Sequence, residues 1–132
     1  MAKTDTFQLS VVTPEKVALE VEASFAALPA HDGELGVLRN RAPILTRLDA
    51  GTLRIETAEG NQSLYIDGGF AQMVDNKLTI LTEDARTSEE IDREAAEAAL
   101  REAQETKAVG DEEIVAREKA VKRARAQLRL LG

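Results

Sequence analysis

The spacing of apolar residues changes once along this chain, near residue 85. Between Phe7 and Ile80 they recur at alternate positions, and from Ile91 onward at every third or fourth. Alternation puts side chains on opposite faces of a strand, whereas a period of 3.6 gathers them along one side of a helix. The pattern therefore excludes both a pure helical bundle and a pure β protein. It calls for a β unit over residues 1–84 followed by a helical unit over residues 85–132, within a length of 132 residues that suits one domain plus a small appendage.

Within the first unit, Phe7, Leu9 and Val11 mark a strand that Thr13-Pro14-Glu15 ends, since proline removes a ladder donor. Val17, Leu19, Val21, Ala23 and Phe25 predict a second strand, closed by Ala27-Leu28-Pro29. Ile44, Leu45 and Leu48 form a patch ended by Asp49-Ala50-Gly51, and Leu53, Ile55 and Thr57 form the next strand. Glu59-Gly60-Asn61 is a hairpin signal. Leu64 and Ile66 follow, then Gly68-Gly69, which suggests a bulge or a close backbone approach. Phe70 to Val74, a turn at Asp75-Asn76, and Leu78 with Ile80 complete the series. About eight to ten short strands at this spacing predict an all-β N-terminal sandwich or flattened barrel.

The second unit opens on Thr87-Ser88-Glu89-Glu90, a capping box whose acids also suit the positive end of a helix. Ile91, Ala95, Ala98, Ala99 and Ala103 give the first helix an apolar stripe, with Leu100 beside it. Val109-Gly110-Asp111 breaks it, and Ile114, Val121, Ala124, Leu128 and Leu131 mark a second. Two helices of roughly 20 residues, each about 30 Å long, so closely joined predict a C-terminal antiparallel α-helical hairpin. Alanine buries little area, so the hairpin should be weakly held and movable. Its charge is polar along the chain: Glu89 to Glu113 is acidic, and Arg117 to Arg129 is basic apart from Glu118.

Composition narrows the function. There is no cysteine, which removes disulfides, thiolate metal sites and cysteine nucleophiles, and a single histidine removes multi-histidine metal sites. No apolar run reaches the roughly 20 residues that span a bilayer, and the lead Met1-Ala2-Lys3-Thr4-Asp5 has no signal-peptide core, so a soluble, cytosolic chain is expected. A net charge of −7 argues against nucleic acid as a partner. The most shaped stretch is His31 to Pro43, H-D-G-E-L-G-V-L-R-N-R-A-P, with glycines at 33 and 36 and charge on both sides. It reads either as a plain hairpin turn or as a specified loop carrying binding residues. A metal or acid–base cluster of His31, Asp32 and Glu34 is a weak enzyme reading, with no second cluster to support it.

The order of these motifs resembles the ε subunit of F-type ATP synthases, the counterpart of mitochondrial δ. The resemblance is carried by Val12-Thr13-Pro14-Glu15, Gly33-Glu34-Leu35-Gly36-Val37-Leu38, Asn40, Ala42-Pro43, Gly51 with Leu53-Arg54-Ile55, Gly68-Gly69-Phe70-Ala71, Leu78-Thr79-Ile80-Leu81 and the helical pair. It spans essentially the whole chain. It implies a non-catalytic rotor subunit of the central stalk, without a cofactor. The sandwich is then expected to bind the γ subunit and rest on the c-subunit ring, coupling proton flow to ATP synthesis by the α and β subunits. Placement is expected on the cytoplasmic side of a bacterial inner (plasma) membrane, through the complex.

Carried over residue by residue, the ring contact falls on Asp32, Glu34, Arg39 and Arg41. Arg41 stands where relatives often have histidine and Arg39 where many have proline. The hairpin is the family's regulatory element, and Lys122, Arg123, Arg125 and Arg129 become the candidates for contact with an acidic loop of the β subunit. A solvated basic face matching the acidic first helix is the alternative. The family's nucleotide motif, Ile/Leu-Asp-x-x-Arg-Ala, survives as Ile91-Asp92-Arg93-Glu94-Ala95-Ala96, with alanine in place of the arginine. Together with an end at Leu131-Gly132, short of the tail of strongly inhibitory relatives, this implies little ATP sensing and weak or no self-inhibition. The competing class is a β-sandwich adaptor with a helical protein-binding arm.

Overall fold

A computed structural model describes residues 6–132 of the chain; the expectation placed on Met1 to Asp5 lies outside them. Eight strands come first: β1 (Phe7–Val12), β2 (Val17–Ala23), β3 (Phe25–Ala30), β4 (Gly33–Val37), β5 (Ile44–Thr57), β6 (Gly60–Val74), β7 (Lys77–Leu81) and β8 (Ala85–Arg86). A 3₁₀ turn at Ser88–Glu90 then leads to α1 (Arg93–Glu105) and α2 (Asp111–Leu131). The strands hydrogen-bond in the order β2-β1-β7-β6-β5-β3-β4, with β8 also on β6. Among the described residues only β1 and β7 run parallel.

Both layers of the sandwich share the β5–β6 ladder, whose strands are 14 and 15 residues long. Its Ile44–Leu48 and Phe70–Val74 ends lie with β7, β1 and β2; its Gly51–Thr57 and Gly60–Ile66 ends lie with β3, β4 and β8. Leu9, Val11, Met73, Leu78 and Ile80 face Leu28, Val37, Leu53, Ile55 and Ile66 in one buried cluster. These aliphatic residues match the alternation of the sequence, as a half-buried antiparallel sheet requires.

Several boundaries differ from the sequence expectation. The second predicted strand is two: at Ser24 the chain leaves β1 for β5, and the Ser24 amide and hydroxyl both donate to the Glu56 carbonyl, at 2.8 and 3.2 Å. Residues 33–37, read as connector, form β4 and bury Val37. The two segments around Asp49-Ala50-Gly51 are one strand, because β6 pairs with it on both sides of Asp49. Among the described residues the sandwich thus has eight strands, two of them long.

Gly68-Gly69 marks a change of partner. Beyond it β6 pairs with β7; before it β6 pairs with β8. Between them the Asp67 amide donates to the hydroxyl of buried Thr82 at 3.0 Å and to the Asp84 carbonyl at 3.0 Å. Gly69 has φ +108°, and a Cβ there would sit 1.9 Å from the Leu81 carbonyl oxygen. The close approach suggested by the sequence is therefore a backbone contact.

The helices are also displaced from expectation. The Thr87 amide does donate to the Glu90 carboxylate at 2.9 Å, but the box closes only the 3₁₀ turn. α1 starts at Arg93, where Asp92 accepts from the Ala95 amide at 3.2 Å, and has 13 residues against 21 for α2. Within α1, Ala96 and the expected Ala103 are buried, whereas Ala95, Ala98 and Ala99 are exposed. α2 packs against α1 and lies along β5 and β6. Tyr65, Ile91 and Ala126 form a second small core at this junction, backed by Ala50, Leu130 and Leu131. Among the described residues no helix is long and apolar enough to cross a membrane.

Gly69→Ala should be severe, because strain at positive φ adds to a backbone clash, costing roughly 2–4 kcal/mol. Gly60→Ala, with φ +127° but nothing within 4 Å of an added Cβ, should cost about 1 kcal/mol. Urea denaturation of both variants measures the difference, and equal midpoints would remove the role given to the Gly69–Leu81 approach.

Candidate functional site

The expected ring-contact residues fall at two ends of β4. His31 and Asp32 make the turn between β3 and β4, and Glu34 follows in register with Pro29. Glu34 is exposed and accepts from Arg54 Nη2 at 3.0 Å across β3. Arg39 and Arg41 flank Asn40 beyond the other end of the strand, both exposed. There the Asn40 amide donates to Asn76 Oδ1 at 2.7 Å, fixing Asn40 at φ +56° against the β6–β7 turn. A five-residue strand, roughly 16 Å at 3.3 Å per residue, separates Asp32 from Arg39.

His31 and Glu34 do not form one cluster with Asp32. His31 turns to Asp49 Oδ1, 3.1 Å from its Nδ1, and Glu34 to Arg54. No group of three or more His, Asp or Glu among the described residues is placed to hold a metal ion.

The basic residues of α2 divide likewise. Lys122 Nζ reaches Asp49 Oδ2 at 2.6 Å, and Arg123 Nε reaches Asp67 Oδ1 at 2.9 Å. Arg125 and Arg129 instead line an open groove of about 490 Å³ with Arg117, Val121 and Ala50. Both acids stand on the shared β5–β6 ladder, so two charged clasps hold the hairpin folded down on the sandwich. Asp49 holds two side chains at once, Lys122 and His31. Burial pushes its carboxyl up, but hydrogen bonds from Lys122 and His31 outweigh this and hold it below the ordinary carboxylate value. Tyr65 is fully buried beneath the second clasp and donates to Asp67 Oδ1 at 3.3 Å. Burial, followed by the Asp67 charge, raises its phenol far above normal, so it stays a neutral donor. The bond to Asp67 likewise raises the Arg123 guanidinium.

Ile91 and Asp92, expected as remnants of a nucleotide motif, both have structural duties. Ile91 is buried against Tyr65 and Ala126, and Asp92 caps α1. Arg93 Nη2 reaches the Leu131 carbonyl at 3.5 Å, tying the start of α1 to the end of α2.

One surface was not anticipated at all. Register places Val17, Val12, Leu81 and Phe70 side by side across β2, β1, β7 and β6, with Arg47 of β5 at the end. The alternate row, Leu19, Val11, Ile80 and Ala71, faces the core. The first row therefore faces outward: Val17 is 57% exposed, Leu81 52% and Phe70 51%, and Leu45, two residues from Arg47 on the same strand, is 72% exposed. Adjacent apolar residues, Val11-Val12, Ile80-Leu81, Phe70-Ala71 and Ile44-Leu45, were its sign in the sequence.

The sandwich with its one parallel β1–β7 pair and its docked C-terminal helix pair is shared with a known family. Residues 6–88 match the family described as ATP synthase, Delta/Epsilon chain, beta-sandwich domain. The chain belongs to this family, as an ε chain of ATP synthase. It is 44% identical over 119 residues to the ATP synthase epsilon chain of Rhodopirellula baltica, covering 90% of this chain and 93% of that one. It is 37% identical over 129 residues to the chloroplastic epsilon chain of Oltmannsiellopsis viridis, covering 96% and 98%. A chain in the cryo-EM structure of the Euglena gracilis mitochondrial ATP synthase, OSCP/F1/c-ring, superimposes with TM-score 0.84 at 25% identity, covering 97% of this chain and 82% of that one.

The clasps generate a prediction. Because docking lowers the Asp49 pKa, its contribution is complete above the free-carboxylate value of about 3.9 and is lost as pH falls through the lower docked value. Lys122→Ala should speed α2 amide exchange about threefold near neutral pH, the share of a partly exposed pair worth roughly 0.7 kcal/mol. Parent and variant should converge in acid. A constant ratio down to pH 2 would contradict the Asp49–Lys122 assignment.

Proposed function

We propose that this chain is a non-catalytic rotor subunit of the ATP synthase central stalk, transmitting proton-driven rotation of the c ring to α and β subunits that make ATP. The observation that carries this most directly is the outward apolar row Val17-Val12-Leu81-Phe70. A contiguous apolar strip across four strands is the kind of surface that serves a partner. We assign it, with Leu45, to the γ subunit.

The two units keep separate tasks in this reading. Residues 1–84 supply the γ and c-ring contacts. The turn bearing Asp32 and Glu34 meets polar loops of the c ring, with Glu34 as the principal carboxylate. Arg39 and Arg41, at the far end of β4, join the ring contact only if it extends along that strand. Residues 85–132 are the regulatory unit, held down by the Asp49 and Asp67 clasps. In that position Lys122 and Arg123 are engaged, so an acidic surface on the β subunit meets all four of Lys122, Arg123, Arg125 and Arg129 only after release. Alanine at position 95 and the commitment of Asp92 to its cap support little ATP sensing and weak or no self-inhibition. The c-ring assembly named for the Euglena relative supports the stalk assignment.

Two variants separate the contacts. Leu81→Glu places a charge in the outer row without touching the core and should reduce co-purification with γ from membranes at least tenfold; parent-like recovery would remove γ from this face. Glu34→Lys breaks only an exposed pair, worth about 0.2–1 kcal/mol, so the isolated fold should persist while ATP-driven proton pumping falls. Unchanged pumping would return Glu34 to a solvated surface role.

A further inference from the structure

The outer apolar row does not end at Phe70. A groove of about 590 Å³ opens beside it, between β5–β6 and the first half of α2. Phe70 and Arg47 form one wall; Val115 and Lys119 form the other. Phe70 and Val115 are each 51% exposed, so two large apolar side chains flank an open space. At its inner end Lys122 and Arg123 are neutralised by Asp49 and Asp67. Among the described residues neither Arg47 nor Lys119 is paired with a carboxylate; Arg47 Nη2 rests 3.2 Å from His31 Nδ1. Against these two cations the groove offers one unengaged acid, Glu118.

An occupant must therefore supply an apolar group for Phe70 and Val115 and a negative charge for Arg47 and Lys119. The groove is continuous with the row assigned to γ, so one partner can cover both. We infer that a segment of the central-stalk partner, bearing an apolar side chain beside a carboxylate, seats in this groove, so that the folded-down hairpin forms one wall of the stalk interface. The inference rests on the γ-facing reading of the outer row and adds α2 to it.

Linkage follows. A partner that fits the groove only when α2 is down binds the docked state better, and so shifts the hairpin toward that state. The stalk subunit then acts on the hairpin as well as on the sandwich.

The test uses the full chain and purified γ subunit, with Val115→Glu, Lys119→Glu and Leu81→Glu. All three positions are exposed, and thermal melts establish that each variant folds. Val115→Glu and Lys119→Glu should each weaken γ binding about tenfold, as losing an anchor contact does. Hydrogen exchange of α2 amides in the parent should slow on adding γ. Should Leu81→Glu weaken binding while both groove variants bind like the parent, the hairpin wall is wrong and the outer row stands. If α2 exchange is unchanged in the complex, the linkage is likewise wrong. If Leu81→Glu also binds normally, the γ-facing reading fails and takes this inference with it.

Discussion

Everything above the core depends on the ladder between β5 and β6. Both layers of the sandwich share it, so its register sets which side chains point inward in each. Near its middle it also carries Asp49 and Asp67, whose carboxylates meet α2. Gly68 and Gly69 lie beside them, where β6 exchanges β8 for β7. Strand crossover and helix docking therefore occupy the same few residues.

Docking is of mixed chemistry for a physical reason. The helix pair offers mainly alanine at its contacts, and Ala96, Ala103, Ala124 and Ala126 bury little surface each. The small core around Tyr65 supplies apolar area, while the two clasps fix where α2 sits along the ladder. Partly exposed ion pairs are weak individually and respond to salt. Such a joint positions a hairpin while leaving it releasable, as the proposed regulatory role requires.

The fold class was legible because alternation and helical spacing are both direct consequences of burial. Boundaries were less so, since they depend on partners distant in sequence. Ser24 ends β2 because Glu56 binds it, and β5 runs unbroken through Asp49-Ala50-Gly51 because β6 pairs beyond. The Thr87 capping box was identified correctly, yet it belongs to a 3₁₀ turn, with Asp92 capping the helix itself. Of the site, the charged residues were visible but their pairing was not. Asp49 read as a turn residue and Asp67 carried no signal, because nothing local specifies a helix arriving from 73 or 56 residues away. The apolar outer row was written in the doubled pairs such as Val11-Val12 and Ile80-Leu81, where alternation fails.

The central claim is that carboxylates on the shared ladder hold the hairpin down. A double-mutant cycle on Asp67→Asn and Arg123→Gln, read by α2 amide exchange in the full chain, tests it most directly. The account predicts that either single change loosens α2 and that the double change adds little to the worse of the two. Strictly additive effects, or α2 protection unaltered in all three variants, would contradict it.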